Sequence, residues 1–157
     1  MSNQRIKVGE KYRDFTLIDT SGKEVSISQF VGKKYLYLVF NRGFSWPFCR
    51  RHMAQLRLDY DRFIAQDTEV IAVGPDSRQD FIKFWERKHI PFIGLADPDN
   101  EAAKLYEQEV ALLKFGRVPA QMIMDENGIM RYVHYARSMA DIPENEEILV
   151  QIEKINQ

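Results

Sequence analysis

The chain has one cysteine, Cys49, among its 157 residues. A single thiol cannot close an internal disulfide, and it cannot build a cysteine-rich zinc site. No apolar run approaches the roughly 20 residues of a membrane-spanning helix. The net charge of -1 gives no indication of nucleic-acid binding. Residues 1–11 are polar and lack a signal-peptide pattern, and together with the lone cysteine this predicts a cytoplasmic protein.

The composition that remains is that of a globular protein, with 45% hydrophobic and 29% charged residues. At this length we expect a single domain over residues 1–157. The apolar runs 35–40 and 69–73 show no polar alternation, which predicts strands covered on both faces. Between them, apolar residues recur every three or four positions over 49–66, which predicts an amphipathic helix.

Turn and cap signals predict the other elements. Turn residues 20–23 indicate an N-terminal β-hairpin, and Asn127-Gly128 between two apolar runs indicates a second hairpin. Asp76 or Ser77 can cap a further helix. A short strand at 92–95 and helices at 102–106 and 143–156 complete the pattern. This order predicts an α/β fold with a central mixed sheet flanked by helices.

Cys49 follows the predicted strand 35–40 and a loop, and it opens the predicted helix. Free N–H groups and the helix dipole favour a thiolate at that position. Arg42, Arg50 and Arg51 add positive charge within a few residues. We therefore predict a reactive thiol with a lowered pKa. The alternative is a buried, unreactive cysteine, because Cys49 also lies on the apolar stripe of the helix.

Four segments carry a family resemblance. They are the opening 9–28, the loop Arg42-Gly43-Phe44-Ser45-Trp46-Pro47-Phe48-Cys49-Arg50, the segment Val118-Pro119-Ala120, and the tail 130–149. Together they resemble the thioredoxin fold, and within it the peroxiredoxin-like branch (alkyl hydroperoxide reductase C/thiol-specific antioxidant). The resemblance implies a cis Pro119 beside the thiol and a second positioned arginine, for which Arg117 is the match.

The loop also departs from that family. Trp46 stands where a dithiol motif has its first cysteine, and where Pro-x-x-x-Thr-x-x-Cys has its threonine. Ser45, one residue earlier, is a candidate to replace the missing hydroxyl. The resemblance thus implies a partial catalytic set. Its members are Cys49, Arg42, Arg117 and Ser45, with Trp46, Pro119 and Phe48 facing the substrate.

Aromatic and histidine residues surround this position. If Phe44, Trp46 and Phe48 are exposed, we expect them to form a homodimer contact. His52 lies three residues after Cys49, and we predict that it faces solvent. No Asp or Asn is identifiable as its orienting partner, so a cysteine-histidine hydrolase is disfavoured. His89 and His134 are not at metal-ligand spacing, and we expect them to be structural.

Three functions remain open. The first is a one-cysteine peroxide reductase without cofactor or metal, in which the Cys49 thiolate becomes a sulfenic acid that an external thiol or thiol reductase reduces. The second is a redox-inactive module that binds a partner through residues 44–48. The third is a monothiol disulfide-exchange protein. We favour the first, because a strand–loop–helix position with nearby arginines is what thiolate activation requires.

Overall fold

The computed structural model describes residues 4–108, 110–111 and 116–157. The single domain expected over 1–157 includes residues outside these ranges and stays a prediction. In chain order the elements are β1 (Thr16–Ile18), β2 (Glu24–Ser26), a short 3-10 helix (Ile27–Phe30), β3 (Tyr35–Phe40), α1 (Pro47–Ile64), β4 (Thr68–Gly74), α2 (Arg78–Lys88), β5 (Ile93–Ala96), α3 (Glu101–Leu105), β6 (Val110–Ala111), β7 (Gly116–Arg117), β8 (Ala120–Met124), β9 (Met130–Tyr135) and α4 (Asn145–Ile155).

The central sheet has five strands in the order β5-β4-β3-β8-β9. The pairs β3–β4 and β4–β5 are parallel, and their crossovers contain α1 and α2. β8 runs antiparallel to both β3 and β9. Parallel neighbours need a long crossover, whereas the short 125–128 turn joins antiparallel β8 and β9. The predicted mixed sheet is therefore confirmed, and β1 and β2 form the predicted N-terminal hairpin.

Side chains of β3 alternate between two hydrophobic cores, one on each face of the sheet. Tyr37 and Val39 pack in the core that contains buried residues of α1, α2 and α4. Leu36, Leu38 and Phe40 pack in the other core, which contains residues of the N-terminal segment and α3. This period of two explains why the strand shows no polar alternation, since both of its faces are covered.

Helix ends differ from the predictions by a few residues. α1 begins at Pro47, two residues before the predicted start, because proline is well tolerated in the first turn of a helix. Ser77 caps α2 as expected, and its Oγ accepts the Asp80 N–H at 3.1 Å. In the part of the chain that the structure describes, no helix combines the length and apolar character needed to cross a bilayer.

We expect Gly94→Ala to destabilise the protein. A Cβ at Gly94 of β5 would lie 2.5 Å from the ring of Trp85, and the Trp85 Nε1–H already donates to the Phe92 carbonyl at 2.7 Å. Overpacking of this kind costs about 1–3 kcal/mol. Chemical denaturation measures the loss. Gly74→Ala, whose added carbon meets its nearest atoms at 3.3 Å, should lose less, and equal stability of the two variants would contradict this packing.

Candidate active site

Cys49 lies in the first turn of α1, three residues after the N-cap residue Trp46. The loop that leads there starts at the carboxyl end of β3. The Cys49 side chain is only 1% exposed, because it faces the core on the apolar stripe of the helix. The predicted placement at a helix N-terminus is therefore confirmed, and the thiol is also buried.

Two backbone N–H groups point to the sulfur. Arg42 N–H donates to Cys49 Sγ at 3.4 Å, and Gly43 contributes a second backbone hydrogen bond. Gly43 has φ 134, a backbone conformation that favours glycine and turns the loop back toward the helix. Sulfur thus sits among donors that stabilise negative charge.

Burial nevertheless dominates the electrostatics of Cys49. Desolvation raises the pKa of the thiol, and the two backbone hydrogen bonds and the positive charge of Arg42 offset this only in part. The negative charge of Asp76 raises the pKa further. The sequence-based prediction of a lowered pKa is therefore wrong, because it weighed the helix N-terminus and the arginines without the cost of burying a thiolate.

Arg42 is held beside the thiol by an aromatic ring. Its side chain is 7% exposed, and its guanidinium lies over the Trp46 ring, 3.3 Å from the ring centroid. Trp46 itself is partly exposed. A cation over an aromatic face is attracted by the ring quadrupole. Trp46, at the family's threonine position, therefore supports the arginine.

The aromatic residues of the loop do not form one exposed patch. Phe44 is buried and stacks on Phe84 of α2, with ring centroids 4.3 Å apart. Phe48 is 46% exposed. The homodimer contact was predicted on the condition that Phe44, Trp46 and Phe48 are all exposed, and Phe44 does not meet this condition. A homodimer stays a prediction.

Asp76 is a residue of this site that sequence reasoning treated only as a helix cap. Its Oδ2 accepts the Phe44 N–H at 3.1 Å, which ties the segment after β4 to the loop after β3. Partial burial raises the pKa of Asp76. The sequence could have indicated this role, because Asp76 follows β4 just as the Cys49 loop follows β3. The carboxyl ends of these two parallel strands meet at one edge of the sheet.

Arg117 is buried and its guanidinium is hydrogen-bonded, whereas Ser45 is exposed. Arg117 is 3% exposed, its Nη2 donates to the Asp97 carbonyl at 2.5 Å, and its Nε donates to Asn100 Oδ1 at 2.9 Å. Within the described residues, its buried Nη1 has no hydrogen-bond partner. Ser45 is exposed, and its carbonyl accepts from Arg50. The catalytic roles of Arg117 and Ser45 stay predictions.

Pro119 follows a trans peptide bond, since the described residues contain no cis bond. Pro119 therefore lacks the cis geometry found in the segment it resembles, and it follows the trans preference of most X–Pro bonds. The Pro119 carbonyl accepts the Ala136 N–H at 3.0 Å, at the start of the β8–β9 ladder. Its role toward substrate stays a prediction.

His52 does not face solvent. It is 3% exposed, and burial lowers its pKa to about 4. Its Nε2 has no hydrogen-bond partner in the described part of the chain. The predicted exposure is wrong because a residue three positions after Cys49 lies near the same buried face of α1. A neutral imidazole at this site cannot supply charge to a thiolate at neutral pH.

The AhpC/TSA family model matches residues 8–133. The chain belongs to the AhpC/TSA family. Peroxiredoxin Bcp of Bacillus subtilis (strain 168) is 30% identical over 112 residues, which cover 71% of this chain and 71% of that protein. The chloroplastic peroxiredoxin Q of Oryza sativa subsp. japonica is 28% identical over 132 residues, 83% of this chain. Those residues cover 59% of the rice protein, so the chain spans less than two thirds of that relative.

A solved structure has the same fold as this chain. The crystal structure of peroxidoxin BcpB from Mycobacterium tuberculosis matches with a TM-score of 0.86 at 18% identity, covering 98% of this chain and 100% of that chain. The predicted thioredoxin-like α/β fold is thus confirmed. Among the described residues, no group of three or more His, Cys, Asp or Glu side chains could hold a metal ion.

We expect Asp76→Asn to lower the pKa of Cys49. The substitution removes the negative charge that raises this pKa and keeps an oxygen that can accept the Phe44 N–H. The measurement is the pH midpoint of Cys49 alkylation by iodoacetamide. In the unsubstituted protein the midpoint should lie above that of a free thiol, near pH 8.5. Asp61→Asn, at the exposed far end of α1, is the matched control, and an unchanged midpoint in Asp76→Asn would contradict the assignment.

His52 should make the protein less stable in mild acid. The unfolded chain protonates this residue near pH 6.5, whereas the folded chain does so only near pH 4. The free energy of unfolding therefore falls as the pH decreases from 6.5 to 4, by up to about 3 kcal/mol. Denaturation curves between pH 6.5 and 4 should show that the free energy of unfolding of His52→Leu lacks this pH-dependent decrease. His89→Asn, at an exposed left-handed helix end, should retain it.

Proposed function

We propose that this chain reduces peroxides through Cys49 in a one-cysteine cycle. The observation that carries the proposal is the environment of the sulfur. The lone thiol of an AhpC/TSA family chain accepts hydrogen bonds from the backbone of Arg42 and Gly43, with the Arg42 charge beside it. These are the groups that stabilise a thiolate and the oxygens of an attacked peroxide.

In the first step the Cys49 thiolate attacks the distal oxygen of a hydroperoxide. An S–O bond forms, the O–O bond breaks, and the electron pair leaves with the alkoxide or hydroxide, which then takes a proton. Sulfur is oxidised to Cys49–SOH and the peroxide is reduced. Positive charge on Arg42 stabilises the developing negative charge of the leaving oxygen. Arg117 Nη1, which has no hydrogen-bond partner within the described residues, is a candidate second donor, and Ser45 is a candidate for the missing threonine hydroxyl.

In the second step an external thiol attacks Cys49–SOH. This releases water and leaves a mixed disulfide at Cys49. A second equivalent of thiol then attacks the mixed disulfide, which restores the Cys49 thiol and yields the oxidised disulfide of the reductant. The chain cannot resolve the sulfenic acid internally, because it contains no second cysteine. Its reductant is therefore a small thiol or a thiol reductase.

The raised pKa of Cys49 has a consequence for this cycle. At neutral pH the thiolate is a minor species, so the rate of oxidation should increase as the pH rises. Trp46, whose ring lies over Arg42, and Phe48, which is 46% exposed, are candidates to contact the substrate. The cytoplasmic location and the absence of nucleic-acid and membrane partners stay predictions.

Cys49→Ser should abolish sulfenic acid formation, and Arg42→Ala should slow it by roughly ten- to a thousandfold. Arg42→Ala keeps the backbone N–H that donates to the sulfur and removes the side chain beyond Cβ, including the guanidinium. The measurement is intact mass after brief exposure to near-stoichiometric hydrogen peroxide, with dimedone present to trap Cys49–SOH. Arg137→Ala, an exposed arginine far along the chain, is the matched control. Peroxide turnover in Cys49→Ser would contradict the mechanism.

The buried thiol also favours a second candidate, a redox-inactive module that binds a partner through residues 44–48. A sulfur that is 1% exposed and has a raised pKa is what an inert structural cysteine would show. The dimedone experiment separates the two functions. Labelling of Cys49 no faster than that of a small free thiol at the same pH would favour the binding module.

A further inference from the structure

We propose that a cavity between α1 and α2 binds the thiol that reduces Cys49, and that this thiol is a small molecule with at least two carboxylates. The inference rests on the one-cysteine cycle proposed above, since that cycle requires an external reductant. It adds the chemical class of the reductant and the place where it binds.

The cavity has a volume of about 330 Å³, which is within the range for a small-molecule site. Four cationic side chains line it, Arg50, Arg51, Arg57 and Lys88. Its apolar wall includes Phe84 and Ile90, which are both buried. Arg57 Nη1 donates to the Lys88 carbonyl at 2.8 Å, a contact that joins the middle of α1 to the end of α2 and fixes the wall between them.

No carboxylate of the described residues compensates the positive charge in this cavity. The ion pairs of the described residues involve other cations, and none of the four lining side chains has a carboxylate within 4 Å there. The whole chain has a net charge of -1, so this is a local concentration of positive charge. Mutual repulsion among the four cations decreases when an anion binds between them.

The cavity is connected to the site through the loop that holds Cys49. Arg50 follows Cys49 directly, and its Nη1 donates to the carbonyls of Phe44 and Ser45 at 3.0 and 3.1 Å. Phe84, in the cavity wall, stacks on Phe44 of the same loop. A ligand in the cavity therefore contacts residues that position the loop over the sulfur.

The chemistry of the lining favours the reductant over the peroxide. Attack on a peroxide needs only its O–O bond beside the Arg42 charge. The reductant, in contrast, must be selected from among the thiols around the protein. Four cations and an apolar wall select a compact thiol with several carboxylates over neutral or cationic thiols. Cys49–SOH and this thiol then give the mixed disulfide and water, as in the second step above.

Binding can be tested without any turnover. The probe is S-methylglutathione, which carries two carboxylates and no free thiol, added to the Cys49→Ser protein and followed by calorimetry. We expect saturable binding that weakens at higher salt and about tenfold in Arg51→Gln/Lys88→Gln. Lys33→Gln/Arg137→Gln, a pair of exposed cations away from the cavity, is the matched control. No binding, or equal binding by the cavity and control variants, would overturn the proposal.

Kinetics give the second readout. We expect the ratio of the rate constants for reduction of Cys49–SOH by glutathione and by 2-mercaptoethanol to fall about tenfold in Arg51→Gln/Lys88→Gln. An unchanged ratio would overturn the proposal. If Arg51→Gln/Lys88→Gln instead slows the reaction with a carboxylate-bearing hydroperoxide more than the reaction with hydrogen peroxide, the cavity serves the oxidant.

These results separate the two proposals. S-methylglutathione binding in the cavity by a protein that forms no Cys49–SOH would support the binding site and refute the peroxidase cycle. Rapid formation of Cys49–SOH without binding or thiol preference would support the cycle and refute the site.

Discussion

Cys49 is buried where the loop after β3 returns to the first turn of α1, and the chemistry of the site follows from that burial. The same contact brings Arg42 and Gly43 N–H groups to the sulfur and removes the sulfur from water. The first effect stabilises a thiolate and the second opposes it, and the second is larger. The resting protein is therefore a protected thiol surrounded by groups that would stabilise its charged form.

The first turn of α1 separates two environments around this thiol. One side faces the core, where Cys49 and His52 are excluded from solvent. The neighbouring side carries Arg50 and Arg51, which face the cavity between α1 and α2. Successive residues of a helix are rotated by about 100°, so a short run of sequence can place a desolvated sulfur and several hydrated cations side by side.

Much of the fold could be predicted from periodicity and turn signals. The apolar run at β3, the helical stripe of α1 and the Asn127-Gly128 turn each predicted an element that the structure contains. These signals are local, and local patterns determine local structure well. Helix ends were less accurate, as at Pro47, because a proline can begin a helix as well as precede one.

The site was harder to predict, because its properties depend on tertiary burial. Residue spacing placed Cys49 at a helix N-terminus and Arg42 beside it, and both placements were correct. The pKa of Cys49 was predicted to be lowered but is raised, and His52 was predicted to be exposed but is buried. Both depend on how completely the core covers one face of α1, which a list of neighbouring charges does not reveal. Asp76 enters the site only through the pairing of β3 with β4, a long-range contact.

Trp46 also makes the site visible to spectroscopy. The chain has two tryptophans, and the other one, Trp85, is buried with its indole N–H bonded to the Phe92 carbonyl. Trp46 is partly exposed and lies against a guanidinium. The two indoles therefore differ in polarity and in access to dissolved quenchers, and the component of the emission that arises from Trp46 reports on the arginine next to Cys49. A change of the loop during a reaction cycle would be recorded by the protein's own fluorescence, without an attached dye.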